Sequence, residues 1–295
     1  TGAGTGMGRD RRRRVAYDRG RESTETTEGD GVPDVITSAT NPVVKRVRAL
    51  ADRKNRRRES VFVVHGIQPV WQAVDGGAQI DTLLVAPGLL THEPSLELVD
   101  EQRRRGTRVV EFSDELFGRI SDRDRPAGIA AIVHQRLSTL QELGTPELAI
   151  ALHEVGNPGN LGTILRTAEA AGATAVILLG DTTDPFDPTS AKASMGALFN
   201  VSIARAGVDE FFAWARERGI TIAAAAGDAA RDYREVGYAA PLTVLLGSEG
   251  DGLPVEVVDA ADLAISIPMS GKTESLNLSI AAGIVLYEAR RHIIG

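Results

Sequence analysis

The sequence predicts an α/β protein whose second half is built on a parallel sheet, and three observations carry this. From residue 61 onward, short aliphatic and β-branched runs alternate with segments of helical periodicity. Runs such as 148–152, 175–179 and 242–246 are apolar throughout, as parallel strands covered on both faces are. Three polar loops, 156–162, 247–254 and 267–277, each follow such a run. Strand ends opening into loops before helices are where α/β domains collect their sites.

Taken in order, residues 1–33 hold glycine- and arginine-rich runs and Ser-Thr-Glu-Thr-Thr-Glu, with almost nothing apolar. Such a segment cannot bury enough surface to offset its ordering entropy, so a disordered tail is expected. A first domain spans 34–134. Asn41-Pro42 offers an N-cap and an N1 proline for a helix to about residue 51, which is expected to continue through Arg53-Lys54-Asn55-Arg56-Arg57-Arg58. Strand 61–64, helix 67–74, strand 80–86, helix 95–105, strand 107–112, helix 113–120 and strand 128–133 follow, suggesting a largely parallel sheet. Residues 122–126 read as a charged turn, either a surface loop or an RNA contact. Residues 135–146, polar and with Gly144 and Pro146, are expected to be a linker.

The second domain, 147–295, opens with strand 148–152 and a helix that carries Arg166. Strand 175–179, helix 189–198, strand 201–204, helix 208–218 and strand 221–225 come next. Strand 242–246 leads into Gly247-Ser248-Glu249-Gly250, and strand 263–267 into the loop that ends at Ser275-Leu276-Asn277. A final apolar helix occupies 279–287.

At 295 residues with 42% hydrophobic and 25% charged side chains, the composition is that of a globular chain of two domains. No run reads as a membrane span or signal peptide, and there is no cysteine. The five histidines lack metal-ligand spacing, so no metal is expected and the chain reads as cytoplasmic. The net charge of −7 is unevenly distributed. Residues 146–295 carry ten basic and nineteen acidic side chains, whereas residues 41–60 hold eight basic against two acidic. Local potential decides where a phosphate backbone settles, so Arg46, Arg53, Lys54, Arg56, Arg57 and Arg58 are candidate RNA contacts.

The three loops hold one guanidinium (Arg166), one carboxylate (Glu249), two amides (Asn160, Asn277) and a hydroxyl (Ser275), with no nucleophile–base pair. That inventory suits alignment of a cofactor that carries its own reactive group, as in methyl transfer from S-adenosyl-L-methionine. A Rossmann G-x-G-x-x-G and a Walker loop are absent, and Gly156-x-x-Gly159-x-x-Gly162 is interrupted by Pro158. Read separately, each loop is also compatible with an ordinary cap or turn.

Together, Asn160-Leu161-Gly162-Thr163-Ile164-Leu165-Arg166-Thr167-Ala168, Leu246-Gly247-Ser248-Glu249-Gly250, and Ile267-Pro268-Met269 through Ser275-Leu276-Asn277 resemble the three motifs of the SpoU (TrmH-type) RNA ribose 2′-O-methyltransferases. The first half is similar in pattern to the ribosomal-protein-like substrate-binding domain that often precedes them. The resemblance implies a SPOUT-type domain with a trefoil knot and a homodimer formed through the C-terminal domain. It further implies S-adenosyl-L-methionine as cofactor and ribosomal RNA, 23S in particular, as substrate, with antibiotic resistance as one outcome. A housekeeping tRNA or rRNA enzyme and a non-catalytic RNA-binding protein of the same fold are the alternatives. Arg166, Asn160, Glu249, Ser275 and Asn277 match the family's polar site residues. Gly247, Ile267, Leu276, Leu246 and Met269 match positions around the cofactor. Because arginine stays protonated, Arg166 is expected to stabilise a developing alkoxide or a nearby phosphate rather than act as a base.

Overall fold

The computed structural model describes residues 35–121 and 125–294. The expected tail at 1–33 and part of the charged turn at 122–126 lie outside the described residues.

Asn41 opens α1 (Pro42–Ala49), its side chain accepting from the Val43 N–H at 2.8 Å. The basic run does not continue this helix. The Asp52 carboxylate accepts from the Lys54 N–H at 2.7 Å and caps a separate α2 (Arg53–Glu59), because a side-chain acceptor there competes with the helical backbone pattern. Then come β1 (Val61–His65), α3 (Ile67–Asp75), β2 (Ile80–Val85), α4 (Glu93–Arg104), β3 (Arg108–Glu111), α5 (Asp114–Ile120) and β4 (Ile129–His134). Their sheet has the order β1-β4-β2-β3, and here the expectation of a largely parallel sheet fails. Only β2 and β3 are parallel, while β4 runs antiparallel to both β1 and β2. As a central strand β4 is buried on both faces, so its run Ile129-Ala130-Ala131-Ile132-Val133 has the composition of a parallel strand.

The stretch expected as a linker lies against the second sheet. The Ser138 N–H donates to the Ile203 carbonyl at 2.8 Å, and Leu140 is buried. The second sheet takes β5 (Leu148–His153), α6 (Pro158–Ala170), β6 (Ala175–Leu179), α7 (Pro188–Ser194), β7 (Ser202–Ala206), α8 (Val208–Glu217), β8 (Thr221–Ala225), β9 (Arg231–Asp232), β10 (Leu242–Leu246), α9 (Val255–Asp259), β11 (Leu263–Ser266) and α10 (Leu278–Ile294). Its order is β7-β6-β5-β10-β8-β11-β9, with every pairing parallel. All carboxyl ends therefore face one side, and β10, inserted between β5 and β8, sets its loop beside those of β5 and β11. The helix expected over 189–198 breaks at Met195 and Gly196, whose φ values of 52° and 97° are left-handed. The final helix runs past Tyr287 to Ile294. No described helix is long and apolar enough to cross a membrane.

One apolar core runs through both sheets. The Phe62 ring of β1 lies 4.9 Å from Phe186 and 5.9 Å from Phe199, on either side of α7. Beside it sits Arg56, 1% exposed. Its Nη1 donates to the carbonyls of Leu50 (3.1 Å) and Ala51 (2.6 Å), which end α1. Its Nη2 donates to Asp184 (2.7 Å) and Asp187 (3.4 Å), and its Nε to Asp184 (3.1 Å). All five guanidinium donors are thereby satisfied. Asp187 in turn caps α7, accepting from the Thr189 N–H at 2.9 Å.

Removing one partner of such a pair leaves uncompensated buried charge. Arg56→Ala is expected to lower unfolding stability by about 3–5 kcal/mol, read as a shift of the urea midpoint. Arg56→Lys, with three donors on a point charge, should recover only part of that loss.

Candidate active site

The site begins at the start of α6. Asn157 accepts from the N–H groups of Gly159 (2.8 Å) and Asn160 (3.1 Å), with Pro158 in the first helical turn. The glycines around Pro158 thus mark a capped helix start. Gly162 serves packing, since a Cβ there would lie 2.3 Å from the Ser190 carbonyl oxygen of α7. In the loop after β10, a Cβ on Gly247 would lie 2.0 Å from the Gly252 carbonyl, so only glycine lets that loop fold back on itself. The Ser248 N–H closes this turn on the Gly252 oxygen at 3.1 Å.

Three loops meet through one chain of hydrogen bonds. The Glu249 carboxylate accepts from the N–H groups of Gly156 (3.2 Å) and Asn157 (3.1 Å) and from the Asn160 amide (3.0 Å). The Asn160 oxygen accepts from the Asn277 amide at 3.0 Å. The Asn277 oxygen accepts from the Ser279 N–H (2.9 Å) and hydroxyl (2.6 Å), so Asn277 also caps α10. Direction is imposed at both ends. A backbone N–H can only donate, which makes the Asn277 oxygen the acceptor there, and an ionised carboxylate can only accept. Both amides are therefore held in one orientation. Burial pushes the Glu249 carboxyl up, but the Asn160 amide and the backbone N–H groups outweigh it and hold it below the usual carboxylate range.

Beside this chain lies a cleft of about 220 Å³, open on one side. Leu246, Gly247, Ile267, Met269 and Leu276, the five candidate cofactor residues, all line it, as does Ser275. Its charged lining consists of Glu249 and Glu274, with no lysine or arginine among the described residues. Such walls disfavour a phosphate-bearing nucleotide and suit a cationic nucleoside, which is what a sulfonium cofactor is.

Arg166 is not part of the hydrogen-bonded chain. Six residues from Asn160, it sits about 120° round the helix, exposed and with no side-chain hydrogen bond or ion pair among the described residues. Helices α6 and α10 run side by side in the same direction. Asn160 meets Asn277, a Cβ on Gly283 would touch Thr167 at 3.5 Å, and one on Gly172 would touch the Arg290 guanidinium at 3.4 Å. Of the candidate RNA contacts, Arg53, Lys54, Arg57 and Arg58 are exposed. Arg56 is not available, being enclosed as described. Arg46 is half-buried between Glu59 and Asp81, each at 2.7 Å. Sequence reasoning passed over Asn157 and Ser279, whose only signal was a polar residue at or beside a helix start. Among the described residues no metal-ligand cluster is present.

Two family models match, a SpoU rRNA methylase family over residues 147–287 and an MRM3-like substrate binding domain over residues 41–131. A 23S rRNA (uridine(2479)-2′-O)-methyltransferase of Streptomyces viridochromogenes is 30% identical over 83% of this chain and 88% of its own length. The chain belongs to the SpoU rRNA methylase family. The 23S rRNA (guanosine(2553)-2′-O)-methyltransferase RlmP of Bacillus subtilis (strain 168) is a further SpoU relative, 28% identical over 86% of this chain and 98% of its own. Among solved structures, an AdoMet-bound rRNA methyltransferase from Sinorhizobium meliloti superposes with a TM-score of 0.81 at 40% identity, covering 89% of this chain and 99% of that one.

Because the Ser279 N–H keeps the Asn277 oxygen in place, Ser279→Ala should leave the Asn277 amide oriented, whereas Asn277→Asp, which cannot donate to the Asn160 oxygen, should lower kcat more than cofactor affinity. Steady-state kinetics beside calorimetry would separate the two. The depressed Glu249 carboxyl contributes stability that is present above the ordinary glutamate range and lost as pH falls through its lowered value. Glu249→Gln is expected to flatten the acid side of a plot of urea midpoint against pH. An unchanged acid limb would show that the carboxylate does not tie the loops together.

Proposed function

We propose that this chain transfers a methyl group from S-adenosyl-L-methionine to a ribose 2′-hydroxyl of 23S ribosomal RNA, acting in the cytoplasm as a homodimer. The observation that carries the reading is the Glu249–Asn160–Asn277 chain bordering a cleft with carboxylate and apolar walls. The family membership and the ribosomal RNA activities named for its relatives support it.

When bound, the cofactor supplies an electrophilic methyl group on a sulfonium centre. Leu246, Gly247, Ile267, Met269 and Leu276 would hold its adenosine part. Asn160 and Asn277, locked in orientation from both ends, present fixed dipoles beside Glu249 of the cleft wall and need no reorganisation during reaction. Ser275 adds a hydroxyl to the cleft lining. Arg166, with an unpaired guanidinium, stabilises charge developing on the ribose oxygen or binds a neighbouring phosphate, while the proton leaves through phosphate or water. The C-terminal domain is expected to be knotted, as the family resemblance implies.

RNA is presented by Arg53, Lys54, Arg57 and Arg58. Arg56 anchors their helix to Asp184 and Asp187, in the segment between β6 and α7 at the carboxyl edge of the parallel sheet. That is the edge on which the site loops lie. The dimer reading rests on α10, where Ile280, Tyr287 and Ile294 recur at heptad spacing and are 55%, 56% and 65% exposed. An apolar stripe of this kind calls for a partner surface.

Incubation of unmodified ribosomal RNA with labelled cofactor is expected to label 23S rRNA. Primer extension at low nucleotide concentration then locates the ribose and decides between the guanosine and uridine positions of the two relatives, or a third, and with it any antibiotic resistance. Absence of label from any RNA overturns the proposal. Arg166→Lys should lower kcat sharply, and near-full activity with an unshifted pH profile would remove any specific role for the guanidinium. Replacing Arg53, Lys54, Arg57 and Arg58 by alanine should reduce the slope of log affinity against log salt by about 3. Tyr287→Glu should yield monomers in sedimentation.

A further inference from the structure

A second cleft, of about 290 Å³, lies where α1, β1 and α5 face α7. It differs in charge from the cofactor cleft. Arg48, Arg119 and Lys192 stand among its lining residues, and no carboxylate does so among those described. Arg48 is exposed and has no side-chain hydrogen bond or ion pair among the described residues. Among the described residues Arg119 is engaged only with Glu115, an exposed i,i+4 pair that a phosphate displaces at little cost. The interior is apolar, with Val63, Pro69, Phe186 and Pro188 on the walls. Its volume is near the lower end for small-ligand sites, about 300 Å³, room for one nucleotide.

Its place in the fold ties it to the reaction. The cleft touches one face of α7 through Pro188, Ala191 and Lys192. The other face, through Ser190 and Ala193, packs on Gly162 of α6, the helix that carries Asn160. One helix thickness, about 10 Å, separates this cleft from the site helix. Helix α2 reaches its wall through the buried Arg56.

We infer that this interdomain cleft holds one unpaired RNA nucleotide, its base against the apolar walls and its phosphate on Arg48 and Arg119, so that a bulged or looped strand is registered near the reacting ribose. Unpaired bases are what proteins read in RNA, by stacking and insertion into such pockets. The inference rests on the proposed RNA activity and names the part of the substrate that the first domain recognises.

The test compares four hairpins, each with a single bulged A, C, G or U, with the same hairpin fully paired, by equilibrium binding at fixed salt. The wild-type protein is expected to bind at least one bulged hairpin about tenfold tighter than the paired one, the size of one base stack. Ala51→Trp, at an exposed rim position, fills the cleft, and Arg48→Glu reverses its charge. Both should bring the ratio to near one while leaving calorimetric titration with S-adenosyl-L-methionine unchanged. Lys45→Glu, exposed on α1 outside the cleft, should keep the wild-type ratio and so removes general charge as the cause. A wild-type ratio of one, failure of wild type to bind any hairpin, or a wild-type ratio in both variants overturns the inference. Label transfer to ribosomal RNA is scored separately. Transfer with no bulge preference removes the cleft alone, whereas preference without transfer removes the enzymatic reading alone.

Discussion

The arrangement depends on one guanidinium. Arg56 lies in a stretch of six residues with five cations, yet it turns inward where its neighbours face water. Two of its contacts are carbonyls that end α1, and the others are carboxylates between β6 and α7. A planar fork with five donors can satisfy acceptors from two directions at once, which an ammonium cannot. The cost of burying this charge is met by geometry, and the result is a joint with defined angles. Because the joint ends at the carboxyl edge of the parallel sheet, the exposed arginines of α2 and the site loops share one side.

The second constraint is directional. A hydrogen-bond chain with a backbone donor at one end and a carboxylate at the other leaves its amides no choice of orientation. Glu249, Asn160 and Asn277 are about ninety or more residues apart in sequence in two of their three pairings, so their alignment comes from the parallel order β5-β10-β8-β11 and not from local structure. The two clefts are meanwhile sorted by charge. The one lined by Glu249 and Glu274 disfavours phosphate, and the one rimmed by Arg48 and Arg119 favours it.

Much of this was legible in the sequence because strands buried on both faces are apolar without interruption, and β5, β6, β8 and β10 were placed almost to the residue. Direction was not legible. The β4 run has the same composition whether its neighbours are parallel or antiparallel. The break between α1 and α2 was missed because Asp52 in a basic run reads as one more charged surface residue until its carboxylate is seen to cap. A run of cations cannot say which member turns inward, so Arg46 and Arg56 were grouped with the exposed four. The polar residues of the three loops were legible as a set through their family motifs. Asn157 and Ser279 were not, since a capping side chain, or a hydroxyl that donates to one, looks in sequence like any helix start.

The placement of β10 carries a consequence for how the molecule is made. Its loop lies between two older neighbours, and the hydrogen-bond chain closes only through Asn277 at the head of α10. The cleft's five candidate cofactor residues lie within 246–276, but Asn160 and the Gly156 and Asn157 N–H groups come from a segment about ninety residues earlier. Contacts of such sequence separation form late and slowly. During synthesis the basic α1 and α2 are complete long before the last wall emerges. The nascent chain therefore carries its cationic surface well before the hydrogen-bond chain can close, which waits for the final helix.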